Sequence, residues 1–164
     1  MKTLLHLKLS LILVILPAFA FANNEKCSLA DGINILTENR MLYLCERGNA
    51  VKEFKISLGR KGVGKKQSND HKTPLGLYEL ASPRKSERFG VFIPIVYPKK
   101  EQLVAGYSGS SVGIHGPVKW LNWLGALNTV VDWTKGCVAV GSDEQINFIG
   151  NWVSSHPGEK VLIK

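Results

Sequence analysis

The chain has 164 residues, of which 45% are hydrophobic and 21% charged, and its formal net charge is +8 at pH 7. This length suffices for one compact domain that buries about two thirds of its extended surface, and it excludes two ordinary domains. The sequence contains no internal repeat, low-complexity tract or linker. A basic balance favours an anionic partner, although charge alone cannot distinguish cell-wall polymer, lipid head groups and nucleic acid.

The first 22 residues have the pattern of an export signal. Two lysines precede the apolar stretch Leu9–Leu16, and Ala20-Phe21-Ala22 forms a small-x-small cleavage site. We therefore expect a signal peptide over residues 1–22, a single domain over residues 23–164, and a location in the periplasm or cell envelope. Removal of the signal peptide would leave a net charge of +6. No later run approaches the roughly 18 to 20 apolar residues of a transmembrane helix, so no stable membrane span is expected.

Three cysteines in an exported chain leave one without a partner. Cys27 and Cys45 are 18 residues apart near the predicted mature N-terminus, where a disulfide would tie the leading arm to an early strand. Cys137 is then the free thiol. The alternative is that Cys27 or Cys45 is simply reduced.

Most of the chain is predicted to form short strands, because runs rich in β-branched and aromatic residues are separated by turn residues. The predicted strands are Ile33–Thr37, Met41–Glu46, Val51–Leu58, Leu77–Ala81 and Lys160–Lys164. Two short helices are predicted in the C-terminal half. One carries Trp120, Trp123, Leu124 and Leu127 at helical spacing, and the other follows a capping box at Ser142–Gln145 and contains Ile146, Ile149 and Val153.

A glycine-rich stretch, Gly59–Lys65, has the spacing of a phosphate-binding loop but does not predict one. Lys66 stands where a serine or threonine would bind magnesium, and turn residues follow instead of a helix. Nucleotide binding is therefore not expected.

A candidate thiol site lies where Cys137 follows Gly136, 22 residues after His115. A thiolate is the nucleophilic form of cysteine, and a neighbouring histidine is its usual activator. Gly113 and Gly116 flank His115, and Gly136 permits a tight turn whose N–H groups can receive an oxyanion. These features favour acyl transfer; the alternative is a buried structural cysteine with a histidine satisfied in a turn.

The whole pattern resembles the L,D-transpeptidase catalytic domain, also called the YkuD-like domain. The landmarks that carry this resemblance are Met41-Leu42-Tyr43-Leu44, Ser57-Leu58-Gly59, Lys72-Thr73-Pro74-Leu75-Gly76-Leu77-Tyr78, Ile114-His115-Gly116 and Gly136-Cys137-Val138. Within the family, Asp132–Val140 resembles the YafK-like branch. The resemblance implies a mainly β fold with minor α, a β-sandwich whose cleft holds the cysteine and the histidine.

The same resemblance implies roles for individual residues. Cys137 falls on the nucleophile, His115 on its base, and the carbonyl of Gly116 on the group that orients the imidazole. Gly136 and Cys137 would supply oxyanion donors. An enzyme of this kind leads us to expect an exposed Cys137 with a depressed pKa, within hydrogen-bond reach of His115.

The implied reaction is cysteine-dependent acyl transfer on peptidoglycan stem peptides: attack on the third stem residue, release of the terminal D-alanine, and transfer to an amine. Water in place of the amine makes the same site a hydrolase of peptidoglycan or of a linkage to a wall-attached protein. A non-catalytic wall-binding module is the alternative of another class. No cofactor, metal or nucleic-acid partner is expected.

The sequence departs from the commoner family signature at Ala139, where an arginine usually follows the cysteine by two residues. Substrate carboxylate recognition is therefore expected elsewhere, with Lys135 or Arg84 as candidates. The proposed substrate-binding set is Asp132, Trp133, Thr134 and Lys135.

Roles were weighed for five further residues. For Asp132 we favour capping of backbone N–H groups over a role in the site. Trp120 and Trp123 are expected in the core rather than in a lid. His71 is expected to be a solvated loop residue rather than a substrate contact, and His156 a helix-end residue.

Overall fold

The computed structural model describes residues 26–164, so the predicted signal peptide and its cleavage site lie outside the described residues. Within this range, no helix has the length and apolar character required to cross a membrane. The described chain forms nine strands: β1 Gly32–Leu36, β2 Met41–Glu46, β3 Asn49–Ser57, β4 Gly76–Glu79, β5 Arg84–Ser86, β6 Gly90–Pro94, β7 Gly113–His115, β8 Val138–Val140 and β9 Lys160–Ile163. Its helices are α1 Lys100–Val104, a 3-10 helix at Lys119–Thr129, and α2 Asp143–Ser155.

The strands form one curled sheet in the order β4-β9-β1-β2-β3-β8-β7-β6-β5. The long strand β3 joins its two halves, since Lys55 and earlier residues pair with β2, whereas Ile56 and Ser57 pair with β8. Beyond the ends of β4 and β6, Leu80 and Ile95 form an antiparallel bridge. The sheet therefore curls round one main core, with a small second cluster at Cys27, Tyr43 and Cys45, and the mainly β prediction is confirmed.

The core lies between the two halves of this sheet and helix α2. The largest buried cluster combines inward side chains from both halves with the apolar stripe of α2, which includes Ile146, Ile149 and Trp152. One half of the predicted capping box is present: Ser142 Oγ accepts the Gln145 N–H at 3.3 Å, whereas Gln145 Oε1 accepts the Gly141 N–H at 2.9 Å instead of that of Ser142. The stripe repeats every three to four residues, so packing against the sheet buries it while the opposite face stays in water.

The leading arm is tied to the sheet by the predicted disulfide between Cys27 and Cys45, and Cys137 is the free cysteine of the described chain. Asn34, fully buried on β1, supports this corner. Its Oδ1 accepts the Ser28 and Leu29 N–H groups, and its Nδ2 lies 3.0 Å from Cys45 Sγ. The arm is thus anchored both covalently and by hydrogen bonds.

The expectation that Trp120 and Trp123 lie in the core is wrong: their exposures are 72% and 79%. The segment is a 3-10 helix interrupted at Gly125, and three residues per turn place these two side chains on one face. Asn128 attaches the other face to the fold, where its Nδ2 donates to the carbonyls of Leu121 and Gly141. Buried polar bonds rather than indole packing hold this segment. The short helix α1, which was not predicted, has no buried residue and therefore no apolar periodicity to detect.

Candidate active site

His115 and Cys137 are brought together by two neighbouring parallel strands. In the β7–β8 ladder, His115 pairs with Ala139, and Cys137 directly precedes β8. Residues two apart on a strand face the same side of the sheet, so Cys137 and His115 share a face. Both line one cleft of about 460 Å³. Its other lining residues are Arg60, Arg84, Ser86, Arg88, Phe89, Phe92, Ser111, Trp133, Thr134 and Lys135.

The imidazole of His115 is buried and fixed in orientation. Its Nδ1 donates to the carbonyl of Gly116 at 2.6 Å, since a carbonyl oxygen can only accept. In the neutral ring this leaves Nε2 as an acceptor. Phe89 stacks on the ring at a centroid distance of 3.9 Å, and Trp133 meets it edge-on at 5.6 Å. The aromatic contacts hold the ring plane while the Gly116 bond selects the tautomer.

Burial lowers the pKa of His115 to about 4, and the positive charge of Arg88 adds to this effect. The hydrogen bond to Gly116 acts in the opposite direction but does not compensate. His115 is therefore neutral near pH 7 and can accept a proton.

The thiol of Cys137 is half-buried, and Sγ lies 3.5 Å from the carbonyl oxygen of Ser111. Burial raises the pKa of the Cys137 thiol above its ordinary value, whereas a backbone hydrogen bond from Gly113 and the charge of Lys65 act to lower it. The expectation of an exposed thiol with a depressed pKa is thus wrong. The site at rest holds a neutral thiol and a neutral imidazole.

The turn before the thiol is closed by Thr134. Its Oγ1 accepts the Gly136 N–H at 3.0 Å and donates to the Cys137 carbonyl at 2.7 Å. Gly136 has a φ of 124°, a region open only to glycine, and a Cβ there would lie 2.6 Å from the Lys72 carbonyl oxygen. Sequence and packing therefore both require glycine at this position.

The loop that packs behind this turn is organised by a buried ion pair. Lys65 Nζ, with a side chain only 3% exposed, lies 2.9 Å from Asp70 Oδ1. The Asp70 carboxylate also accepts the backbone N–H groups of Lys66, Gln67 and Lys72. Burial alone would raise the pKa of Asp70, but these bonds and the Lys65 ammonium outweigh it and hold that pKa well below its ordinary range. The loop thereby places the Lys72 carbonyl against Gly136.

This loop contains the stretch that has phosphate-loop spacing. In the described structure, residues 59–75 form turns and isolated bridges and no helix. A phosphate-loop architecture, in which a helix N-terminus follows the glycines, is therefore absent from this segment.

The proposed substrate-binding residues occupy different places. Trp133 and Lys135 line the cleft, and the Trp133 Nε1 donates to the Asn128 carbonyl. Thr134 also lines it, but its hydroxyl is engaged in the turn. Asp132 does not line it: Oδ1 accepts the Leu58 N–H and Oδ2 pairs with an arginine outside the cleft.

Besides His115, residues 26–164 contain two histidines, His71 and His156. His71 is half-buried, and its Nε2 lies 3.1 Å from an Arg60 nitrogen. His156 lies at the C-terminal end of α2, as predicted, and stacks on Trp152. Within residues 26–164, no group of three or more metal-ligating side chains is found.

Sequence reasoning missed several cleft residues: Arg60, Ser111, Arg88, Phe89 and Phe92. Phe92 lies on a strand with a short apolar run, which could have indicated β structure. Nothing local in the sequence places Phe89 on the His115 ring, because that contact depends on how the β5–β6 hairpin folds over β7.

Comparisons with known proteins give the family. The family model of the L,D-transpeptidase catalytic domain (YkuD) matches residues 31–163, so the chain belongs to this family. Its members are typically acyltransferases that act on peptidoglycan stem peptides in the periplasm or cell wall. A comparison with curated protein sequences gives no match.

Several solved structures have a similar fold. The helical cell shape determining protein Pgp2 from Campylobacter jejuni aligns with a TM-score of 0.64 and 22% identity, over 80% of this chain and 46% of that one. Bd1075 from Bdellovibrio bacteriovorus gives 0.56 and 20%, over 85% and 49%. The catalytic domain of the Enterococcus faecium L,D-transpeptidase gives 0.53 and 16%, over 84% and 99%. The chain thus spans about half of the first two proteins and nearly all of the third.

Proposed function

We propose that this protein is an exported acyltransferase that acts on peptidoglycan stem peptides, with Cys137 as nucleophile and His115 as general base. The observation that carries the proposal is the placement of the thiol and the imidazole in one cleft, with Nε2 of the neutral His115 left as an acceptor. Family membership supports the reaction class.

The proposed reaction begins from the neutral pair. A stem peptide binds with the carbonyl of its third residue at Cys137 Sγ, and His115 Nε2 takes the thiol proton as sulfur attacks. The tetrahedral intermediate collapses when His115 returns this proton to the nitrogen of the departing D-alanine. A thioester remains on Cys137.

The acyl group then passes to an amine of a second stem peptide. His115 removes a proton from the attacking amine and returns it to the sulfur as the thioester breaks, which regenerates the starting enzyme. If water replaces the amine, the same sequence of proton transfers gives hydrolysis. The choice between these outcomes depends on which nucleophile reaches the thioester.

The turn residues have supporting roles in this proposal. The backbone N–H of Cys137 would donate to the oxyanion, and Gly136 N–H would join it after releasing Thr134 Oγ1. Trp133 and Lys135 would contact the substrate. Thr134 and Asp132 would position the turn through hydrogen bonds between their side chains and backbone groups.

The experiment combines a tetrapeptide stem ending in D-alanine with the mature protein, in the presence and absence of an acceptor stem. Intact-protein mass would follow the thioester, and product masses would distinguish cross-linked from hydrolysed peptide. We expect Cys137→Ala to abolish the adduct and D-alanine release, and His115→Gln to slow turnover by about 100-fold or more.

His156→Gln is the matched control, since it removes a histidine that does not line the cleft. Turnover that persists in Cys137→Ala would refute the proposed chemistry. Absence of adduct and product with folded wild-type protein, together with undiminished wall binding by Cys137→Ala, would favour a non-catalytic wall-binding module.

Export is a separate part of the proposal and rests on residues 1–22. N-terminal sequencing of protein recovered from the periplasm or cell envelope should begin at Asn23. Recovery of the protein in the cytoplasm with an intact N-terminus would refute this part alone.

A further inference from the structure

The cleft contains four basic side chains and no carboxylate. Its cations are Arg60, Arg84, Arg88 and Lys135. The ion pairs among residues 26–164 join other groups, namely Lys26–Glu53, Arg40–Asp132, Lys65–Asp70 and His156–Glu46. Four cations without an acidic partner make the cleft attractive to anions.

Two of these cations belong to the β5–β6 hairpin and are engaged with aromatic rings. The Arg84 guanidinium lies 5.0 Å from the Phe92 ring centre, and the Arg88 guanidinium lies 5.2 Å from that of Phe89. Both arginines keep their charge in the cleft, but each packs against a phenylalanine whose ring stacks with His115.

The other two cations flank the turn that carries the thiol. Gly59 and Thr134 form a parallel bridge, and the Arg60 N–H donates to the Thr134 carbonyl at 2.9 Å. The bridge brings Arg60 alongside Lys135, two residues before Cys137. Backbone pairing therefore places two positively charged residues next to the nucleophile.

His71 fixes the guanidinium of Arg60. Because an arginine nitrogen can only donate, His71 Nε2 must accept the 3.1 Å hydrogen bond, which places the imidazole proton on Nδ1. Burial lowers the pKa of His71, and the charges of Arg60, Lys61 and Lys135 add to this, so the ring stays neutral and remains an acceptor. Its Nδ1 is buried without a hydrogen-bond partner in the described structure.

We propose that Arg60, held by His71, acts with Lys135 as a carboxylate-binding site that selects peptides with a free carboxylate beside the scissile carbonyl. Ala139, two residues after the nucleophile, is fully buried in β8 and carries no charge, so it would not bind the carboxylate itself. The sequence indicated Lys135 or Arg84. The structure supports Lys135 as a carboxylate-binding candidate and adds Arg60 and His71. It places Arg84 against Phe92, where it supports the β5–β6 hairpin instead.

This inference rests on the proposed function for its biological meaning, but its test does not require turnover. Bromoacetyl-D-alanine and its amide are thiol labels that differ only in the terminal carboxylate. Sulfur displaces bromide from either label and the thiol proton is lost, so both report on the same free thiol. The ratio of their alkylation rates measures carboxylate recognition next to Cys137.

We expect wild-type protein to react at least about 10-fold faster with the acid than with the amide. Arg60→Gln should remove most of this preference, and Arg60→Lys should retain part of it, because lysine keeps the charge without the planar fork. His71→Asn should give an intermediate loss. Asparagine tolerates the positive φ of 57° at that position but is too short to replace the Arg60 contact.

Arg84→Gln is the matched control, because it removes an equal charge from the same cleft. The inference requires the acid preference to fall much less in this variant than in Arg60→Gln, with melting temperatures of both variants close to wild type. Equal losses in the two variants would indicate a diffuse positive field and overturn the inference. An unchanged preference in Arg60→Gln would overturn it as well.

Turnover measurements separate this inference from the proposed function. With stem peptides, Arg60→Gln should raise KM for the acid by about 10- to 100-fold, leave kcat nearly unchanged, and have little effect on the amide. If no stem peptide is turned over but the labels show the Arg60-dependent preference, the proposed function fails and the carboxylate site stands.

Discussion

The resting charge state of the thiol and the imidazole can be tested by titrating the reactivity of Cys137. Burial raises the pKa of the Cys137 thiol above its ordinary value and lowers that of His115 to about 4. At pH 7 the thiol is therefore mostly protonated, and the imidazole is neutral. In a thiolate–imidazolium pair, by contrast, the thiol pKa would lie below that of the histidine.

The assay is the rate of iodoacetamide alkylation, followed by intact-protein mass between pH 5 and 9. Because only the thiolate reacts, the rate should rise about 10-fold per pH unit through neutral pH and show no plateau below about pH 9. His115→Gln should change this profile by less than about 3-fold, although it should slow turnover by about 100-fold or more. Cys137→Ala should not be labelled, since the other two cysteines form the disulfide.

The value of kcat/KM should rise with pH on the acid side of neutrality and fall with pH on the alkaline side. Neutral His115 is the base, so kcat/KM should fall as pH drops through about 4, and it should fall again at alkaline pH as the thiol ionises. A flat alkylation rate from pH 5 to 8 that His115→Gln abolishes would refute the neutral pair. It would show that the imidazolium holds the thiolate in place before substrate arrives.

Three further predictions concern the scaffold. Asp70→Asn removes the carboxylate partner of the buried Lys65 ammonium and should lower the free energy of unfolding by about 3 kcal/mol in urea titrations at pH 7. The contribution of Asp70 is fully present above the ordinary carboxyl pKa of 3.8 and is lost as pH falls below it. Gly136→Ala forces a Cβ to within 2.6 Å of the Lys72 carbonyl oxygen and should cost about 3 kcal/mol or more, with faster labelling of Cys137 at pH 8 as the thiol loses its burial. Replacing both half-cystines by serine opens a loop of 18 residues and should cost about 3 kcal/mol, measured by thermal unfolding.

Each scaffold prediction has a control in the same chain. Glu53→Gln breaks an exposed ion pair and should cost less than about 1 kcal/mol. Gly158→Ala changes a glycine at a φ of 89° with open space around it, and should cost only the backbone term of about 1 to 2 kcal/mol. Reductant should reproduce the serine effect in wild type. Equal costs for Asp70→Asn and Glu53→Gln, or for the two glycine variants, would contradict the assigned packing.

The aromatic residues around His115 determine the charge state of the base in the cleft. Packing by Phe89 and Trp133 removes water from the ring and keeps it neutral, so the base is available without a preformed ion pair. The cost is a thiol that is also desolvated and weakly ionised. Reaction then depends on substrate binding to align the carbonyl with the sulfur while His115 takes the proton.

The segment that carries Trp120 and Trp123 shows why sequence periodicity was insufficient there. Spacing of three residues fits both a buried α-helical stripe and an exposed face of a 3-10 helix. Asn128 distinguishes them, because its buried amide donates to the carbonyls of Leu121 and Gly141 and so holds the segment without burial of the indoles. That choice depends on the position of β8 and cannot be deduced from the indoles.

Local chemistry in the sequence determined strands β1 to β4 and β9, helix α2, the disulfide pair and the residues of the thiol motif, whereas strands β5 to β8 were not predicted. Alternating apolar residues, a serine cap and glycine turns act over a few neighbours, so their pattern is visible in one dimension. Only the tertiary structure decided the charge state of the thiol, the stacking of Phe89 on His115, and the meeting of Arg60, His71 and Lys135. These features arise between segments far apart in sequence, and desolvation and charge depend on everything packed around a group rather than on its neighbours in the chain.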